Sequence, residues 1–231
     1  METRSQSCTP AWICARISSV SKHSIIAFKS LVHVICLAPV TWLVVHLLQN
    51  NLGPDPTAAV TFFTGRGALR LLVISLALTP VRRLIPSLAW IIRFRRMLGL
   101  YAFFYACLHL LTYVWLYAGL SLSAMIDDIT KRRFITAGLT AWALMVPLAL
   151  TSTTWSIRKL GGKNWNRLHR LAYLSAIAGI VHYWWGVKPG VNTPSMITLV
   201  LFVLLAARPI LSWWSWRKTP ANSLPRATHS G

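Results

Sequence analysis

Apolar runs close to twenty residues long, separated by short stretches that carry bases, glycine or proline, dominate the pattern of this chain. A helix rises 1.5 Å per residue and needs about 20 apolar residues to cross a ~30 Å hydrocarbon core. On that rule the pattern predicts six spans, at approximately 30–48, 66–84, 97–119, 134–151, 168–186 and 194–213. Asn50-Asn51-Leu52-Gly53-Pro54, Thr79-Pro80, Gly161-Gly162 and Lys188-Pro189-Gly190 supply turn and helix-stop chemistry at their ends. The first residues carry Arg4, Arg16 and Lys22 without a spanning run or a small-residue cleavage site, and read as a cytoplasmic extension rather than a signal peptide. The expected architecture is an all-α integral membrane protein, a six-helix transmembrane bundle over 30–213 with a basic extension at 1–29 and a tail at 214–231. No internal repeat of the transporter kind is present.

Composition sharpens this picture. The chain has 231 residues, of which 55% are hydrophobic and only 12% charged, and its mean hydropathy is +0.53. That charged fraction is about half that of a soluble domain, so a soluble enzyme is the class most strongly disfavoured. A net charge of +20 would suggest nucleic acid in a polar chain. Here the bases lie between apolar runs, where they set topology, and no nucleic-acid partner is expected. Counting by side places 18 Lys and Arg with the two termini and the loops after spans 2 and 4, against 6 on the opposite face. The positive-inside rule then puts both termini in the cytoplasm, with the spans in contact with lipid. Trp90, Trp155, Trp165, Trp184, Trp185, Trp213, Trp214 and Trp216 fall near span ends as interfacial anchors. Cys8, Cys14, Cys36 and Cys107 form no CxxC or zinc spacing and read as structural thiols.

The spans contain no acidic residue, so a carboxylate relay has no material, and neither a nucleophile elbow nor a Walker loop is present. Histidine remains. His33 and His46 lie on span 1, His109 on span 3, and His169 and His182 on span 5. The 13 residues between His169 and His182 separate them by about 20 Å along a helix, too far to share one metal ion but suited to two cofactors stacked across a bilayer. With the N-terminus inside, His109 and His182 stand level to within about 3 Å on neighbouring outward-running helices. Two facing imidazoles at one depth suit axial ligation of a b-type haem. The other reading of each is a helix-packing histidine. On an ideal helix His169 and His182 differ by about 140° in azimuth, which a single straight span does not explain. A second ligand for an inner haem is not evident. Arg95 and Arg96 occupy the expected register, with Met97 and His33 as further candidates. The arginines suit haem propionates or lipid phosphate better than iron, since guanidinium stays protonated.

The ordered set Phe63-Thr64-Gly65-Arg66, Leu78-Thr79-Pro80, Arg95-Arg96-Met97-Leu98-Gly99-Leu100, Leu108-His109-Leu110, Leu150-Thr151-Ser152 and Leu168-His169 through His182-Tyr183 resembles the MsrQ/YedZ family. These are haem-binding membrane subunits of the bacterial periplasmic protein-methionine-sulfoxide reductase system, within the ferric-reductase-like transmembrane group. The resemblance implies haem b, one or two, with His109, His169 and His182 on the family's haem-histidine positions, and an association with FMN. It implies electron delivery, from the quinone pool or a cytoplasmic flavin reductase, to a periplasmic molybdenum-cofactor catalytic subunit that repairs oxidised methionines. The chain then reads as an electron-transfer subunit, not a stand-alone reductase, because no GxGxxG nucleotide domain follows the last span. The basic, hydroxyl- and glycine-rich stretch 151–170 is a candidate for the FMN phosphate or simply a positive-inside loop. Two rival readings stay open: a transmembrane ferric or metal reductase, and a haem-free channel or carrier with packing histidines.

Overall fold

The computed structural model describes residues 22–187 and 193–217. Nearly all of the described residues are helical, and none of them forms a strand. The tail boundary and the Lys188-Pro189-Gly190 turn fall partly or wholly outside these residues.

Helix α1 spans Lys22–Leu48 and α2 spans Pro56–Leu84. The start of α2 lies ten residues earlier than the hydrophobic pattern alone predicts. Asp55 explains it: its Oδ1 accepts the Ala58 amide at 2.9 Å and Pro56 occupies the first turn, so capping extends the helix beyond its apolar stretch. Tight turns over Pro86–Phe94 lead into α3, Arg95–Thr112, which ends in one wide π-type turn at Tyr113–Tyr117. A short helix α4, Leu122–Lys131, follows where a loop was expected. Ser121 caps it, accepting the Ala124 amide at 3.3 Å, and Leu122, Met125, Ile126 and Ile129 recur at helical spacing. It is too short to span and so escapes a search for spans. Helix α5 is Arg133–Leu150 and α6 is Thr154–Leu168, broken internally at Gly161, whose φ of +73° suits glycine. Helices α7, Leu171–Gly186, and α8, Thr193–Arg217, complete the bundle.

Four helical stretches among the described residues are long and apolar enough to cross a membrane: Ser24–Leu48, Pro56–Leu84, Pro86–Tyr117 and Arg133–Leu150. Helix α7, at 16 residues, and the apolar part of α8, Pro194–Ile210, are shorter. Large apolar side chains such as Val34, Phe202 and Leu150 cover the outside of the bundle. The chain is a multi-pass membrane protein.

Two helix pairs, α2 with α3 and α5 with α7, form the centre, with α3 crossing α5 and α8 lying against α2. The core joins Leu69, Leu72, Val73 and Leu76 of α2 to Ala102, Met145, Ala176, Ile180 and Leu201. Side-chain bonds to backbone carbonyls lock the register, as expected where no water competes. Ser175 donates to Ala141 O at 2.8 Å, and Tyr105 donates to Cys36 O at 2.9 Å. Three acidic residues are described, Asp55, Asp127 and Asp128, and all lie at one end of the bundle. That acidic end also carries α4, while Arg82, Arg83, Arg93, Arg95 and Arg96 mark the opposite, basic end.

Candidate functional site

Near the acidic end the bundle brings His109 of α3 and His182 of α7 together, with ring centres 5.8 Å apart and planes at 74°. These are the two residues that depth matching put level. Each ring is fixed by its Nδ1. That of His109 lies 3.0 Å from Thr61 O and 3.5 Å from Thr64 Oγ1, and that of His182 lies 2.6 Å from Phe134 O. A carbonyl only accepts, so the proton of each imidazole sits on Nδ1 and each Nε2 keeps its lone pair. This is the tautomer that metal-ligating histidines hold through their second nitrogen.

Glycines make room for both rings. A Cβ on Gly65 would stand 3.0 Å from Cε1 and Nδ1 of His109. One on Gly138 would stand 2.6 Å from Nδ1 and 2.8 Å from Cε1 of His182. Glycine in a helix interior costs up to about 1 kcal/mol relative to alanine, and here the close approach of an imidazole accounts for it.

His169 lies at the basic end. It is not part of α7 but the residue that closes α6, and α7 starts two residues later. The calculated 140° mismatch with His182 therefore does not arise, because the two residues do not share one continuous helix. The His169 ring stacks on Trp165 at 3.7 Å and its Nδ1 lies 3.1 Å from Trp165 O. Trp165 is itself held by a 2.8 Å bond from its Nε1 to Thr151 O. The His169 Nε2 is buried without a hydrogen-bond partner. Arg95, half-buried, acts electrostatically on His169, whereas Arg96 is exposed and Met97 half-buried. His33 lies on the exposed face of α1 with its Nδ1 2.5 Å from Tyr101 Oη. His46 bonds to Trp42 O and stacks on that indole.

Residues 64–180 match the family model described as ferric reductase like transmembrane component. The chain is 42% identical over 197 residues to a protein of Herminiimonas arsenicoxydans, covering 84% of this chain and 88% of that one. It is 44% identical over 205 residues to one of Xanthomonas campestris pv. campestris (strain 8004), covering 86% and 90%. A protein of Ralstonia nicotianae is 42% identical over 200 residues, covering 87% and 91%. All three are named protein-methionine-sulfoxide reductase heme-binding subunit MsrQ. The chain belongs to the MsrQ family. No solved structure matches it.

In this MsrQ-family chain the histidine pair can be tested for fit to a prosthetic group. Metal–imidazole bonds are ~2 Å, so two imidazoles with ring centres 5.8 Å apart are close enough that both could be held by one iron. Among the described residues no three His, Cys, Asp or Glu side chains converge, so a bare metal ion would lack ligands. A macrocycle that brings four nitrogens of its own and asks the protein for two suits the donor set. Sequence reasoning missed Gly138 and the Thr61 and Phe134 carbonyls that orient the rings. Gly138, a helix breaker inside an apolar run, was the available signal; the carbonyls leave none.

Proposed function

We propose that the chain is a membrane b-type haem electron-transfer subunit. It passes electrons from quinol or a cytoplasmic flavin donor across the inner membrane to a periplasmic molybdenum-cofactor methionine-sulfoxide reductase, for repair of oxidised proteins. The observation that carries this reading is the His109–His182 pair, two rings 5.8 Å apart with both Nδ1 atoms on backbone carbonyls. The names of the relatives support the cofactor and the partner system. Bound between these rings, haem supplies one-electron transfer. The chain's own residues hold both imidazoles in the ligating tautomer, and Gly65 and Gly138 let helix backbone close behind them.

In this proposal both termini are cytoplasmic, 1–29 is a basic extension, 30–213 the haem-bearing transmembrane domain and 214–231 a tail. The acidic end then faces the periplasm. His169, with its unpartnered Nε2, is the ligand for a second haem at the basic end. FMN, where the family association extends to this chain, belongs on the same cytoplasmic side, near α6. The match to the ferric-reductase-like model favours one second reading, in which the same pair reduces a ferric chelate.

The deciding experiment is purification in detergent followed by a reduced-minus-oxidised spectrum of the wild type, His109→Ala and His182→Ala. The expected result is a low-spin haem spectrum that loses the same component in both variants. Full haem content in either variant refutes the pairing. Electron delivery to a purified sulfoxide reductase, compared with delivery to ferric citrate, separates the two acceptors.

A further inference from the structure

The described residues contain three buried side-chain polar atoms without a partner: Thr79 Oγ1, His169 Nε2 and Arg208 Nε. The contacts of Arg208 and the chain positions of the other two place all three at the basic end. Arg208 of α8 reaches across to α2, where its Nη2 donates to Leu76 O at 2.7 Å, one turn from Thr79. Its Nη1 donates to Tyr173 Oη of α7, and its guanidinium lies over the Tyr173 ring, 4.5 Å from the centroid. Tyr173 lies in the first turn of α7, which starts two residues after His169. Arg83 and Arg95 are near enough to act on Arg208 repulsively, and Arg95 also acts on His169. No described carboxylate answers these three arginines, since Asp55, Asp127 and Asp128 lie at the far end.

A cation in a bundle interior is costly unless paired, and guanidinium is shaped for bidentate recognition of carboxylate or phosphate. Arg208 is already oriented by two bonds that leave Nε–H unused, one of them to the turn of α2 that leads to the unpartnered Thr79 hydroxyl. We propose that Arg208, with Thr79 and the charge of Arg83 and Arg95, is the receptor for an oxyanion, carboxylate or phosphate, on a redox cofactor seated beside His169. The inference rests on the electron-transfer reading above and assigns residues that reading does not use. A haem carboxylate satisfies most of the site, because the same molecule also offers iron to the His169 lone pair. A flavin phosphate satisfies the arginines and the threonine alone.

The test uses the full chain purified in detergent as wild type, Arg208→Gln, Arg208→Lys and Thr79→Val. Haem per protein, flavin per protein and the midpoint potential of each haem component are read for each. With a haem carboxylate as occupant, Arg208→Gln lowers the potential or weakens retention of the His169-dependent component about tenfold, leaving the His109–His182 component in place. With a flavin phosphate as occupant, flavin per protein falls about tenfold and both haem potentials stay. Arg208→Lys keeps the charge without the fork and gives a smaller change of the same kind. Should Arg208→Gln not accumulate, Arg208→Lys and Thr79→Val carry the comparison. Unchanged haem retention, potentials and flavin in the variants overturn the inference, leaving Arg208 a helix-packing residue. A wild type that holds neither haem nor flavin instead overturns the functional reading itself.

Discussion

Substituting Gly138 by alanine isolates what the glycine does for His182. The new Cβ would lie 2.6 Å from the ring's Nδ1, against the ~3.5 Å of ordinary contact, so ring and helix must part by roughly 1 Å. That movement breaks the 2.6 Å bond to Phe134 O, a loss of about 1 kcal/mol. Alanine returns up to about 1 kcal/mol of helix propensity to α5. The two nearly cancel in the stability of the empty bundle, and the effect falls on ligand geometry. Loss of such an orienting contact typically weakens metal binding 10–100-fold, or about 1.4–2.7 kcal/mol. Haem titration into the purified protein, with thermal unfolding in parallel, should show weakened binding within that range and little change in melting temperature. Gly65→Ala, whose contacts are 3.0 Å, should lose less. Gly99→Ala, with nothing within 4 Å, should bind normally and serves as the control. Full affinity and an unchanged low-spin spectrum in Gly138→Ala would refute the argument that this glycine seats a ligating ring.

Other predictions address the remaining contacts. Trp165→Phe keeps an aromatic ring beneath His169 but removes the bond to Thr151 O, and should alter the His169-dependent spectral component while sparing the other. Ser175→Ala removes an interhelical bond to Ala141 O and should lower the melting temperature by the equivalent of ~0.6 kcal/mol with haem content normal. On the acidic end Lys131 is paired with Asp127 at 2.5 Å and Arg132 with Asp128 at 3.0 Å, so the basic triplet there is largely neutralised. In the proposed orientation Arg133→Glu should therefore slow delivery to the proposed acceptor more than Lys131→Glu, and most at low ionic strength; equal effects would move docking elsewhere. Reporter fusions at either terminus should report the cytoplasm.

The legible part of this molecule was set by arithmetic along single helices. His109 and His182 could be levelled because helical rise is constant, and their rings meet as that depth predicts. The ~140° between His169 and His182 on one ideal helix finds its answer at the junction after Leu168, where His169 closes α6 and α7 begins two residues later, a break that no apolar pattern marks. The amphipathic α4 was passed over because ten residues cannot span a bilayer, and the early start of α2 because a cap is decided by one aspartate rather than by hydropathy. Arg208 falls inside the predicted span 194–213 and carries no motif that singles it out. Its partners, Leu76 and Tyr173, lie 132 and 35 residues away, and nothing in a linear pattern links them.

The placement of every described carboxylate at one end has an energetic consequence for transport. An electron crossing from the basic to the acidic end of this bundle meets no acidic side chain to carry a compensating proton with it. In the proposed orientation its negative charge moves outward through a membrane that is negative inside. Each full crossing is then driven by about 2.3 kcal/mol per 100 mV of membrane potential. On the proposed function, electron delivery outward would thus be coupled to, and drain, the voltage across the membrane, so that collapsing the potential with an ionophore should slow the electron supply even with donor in excess.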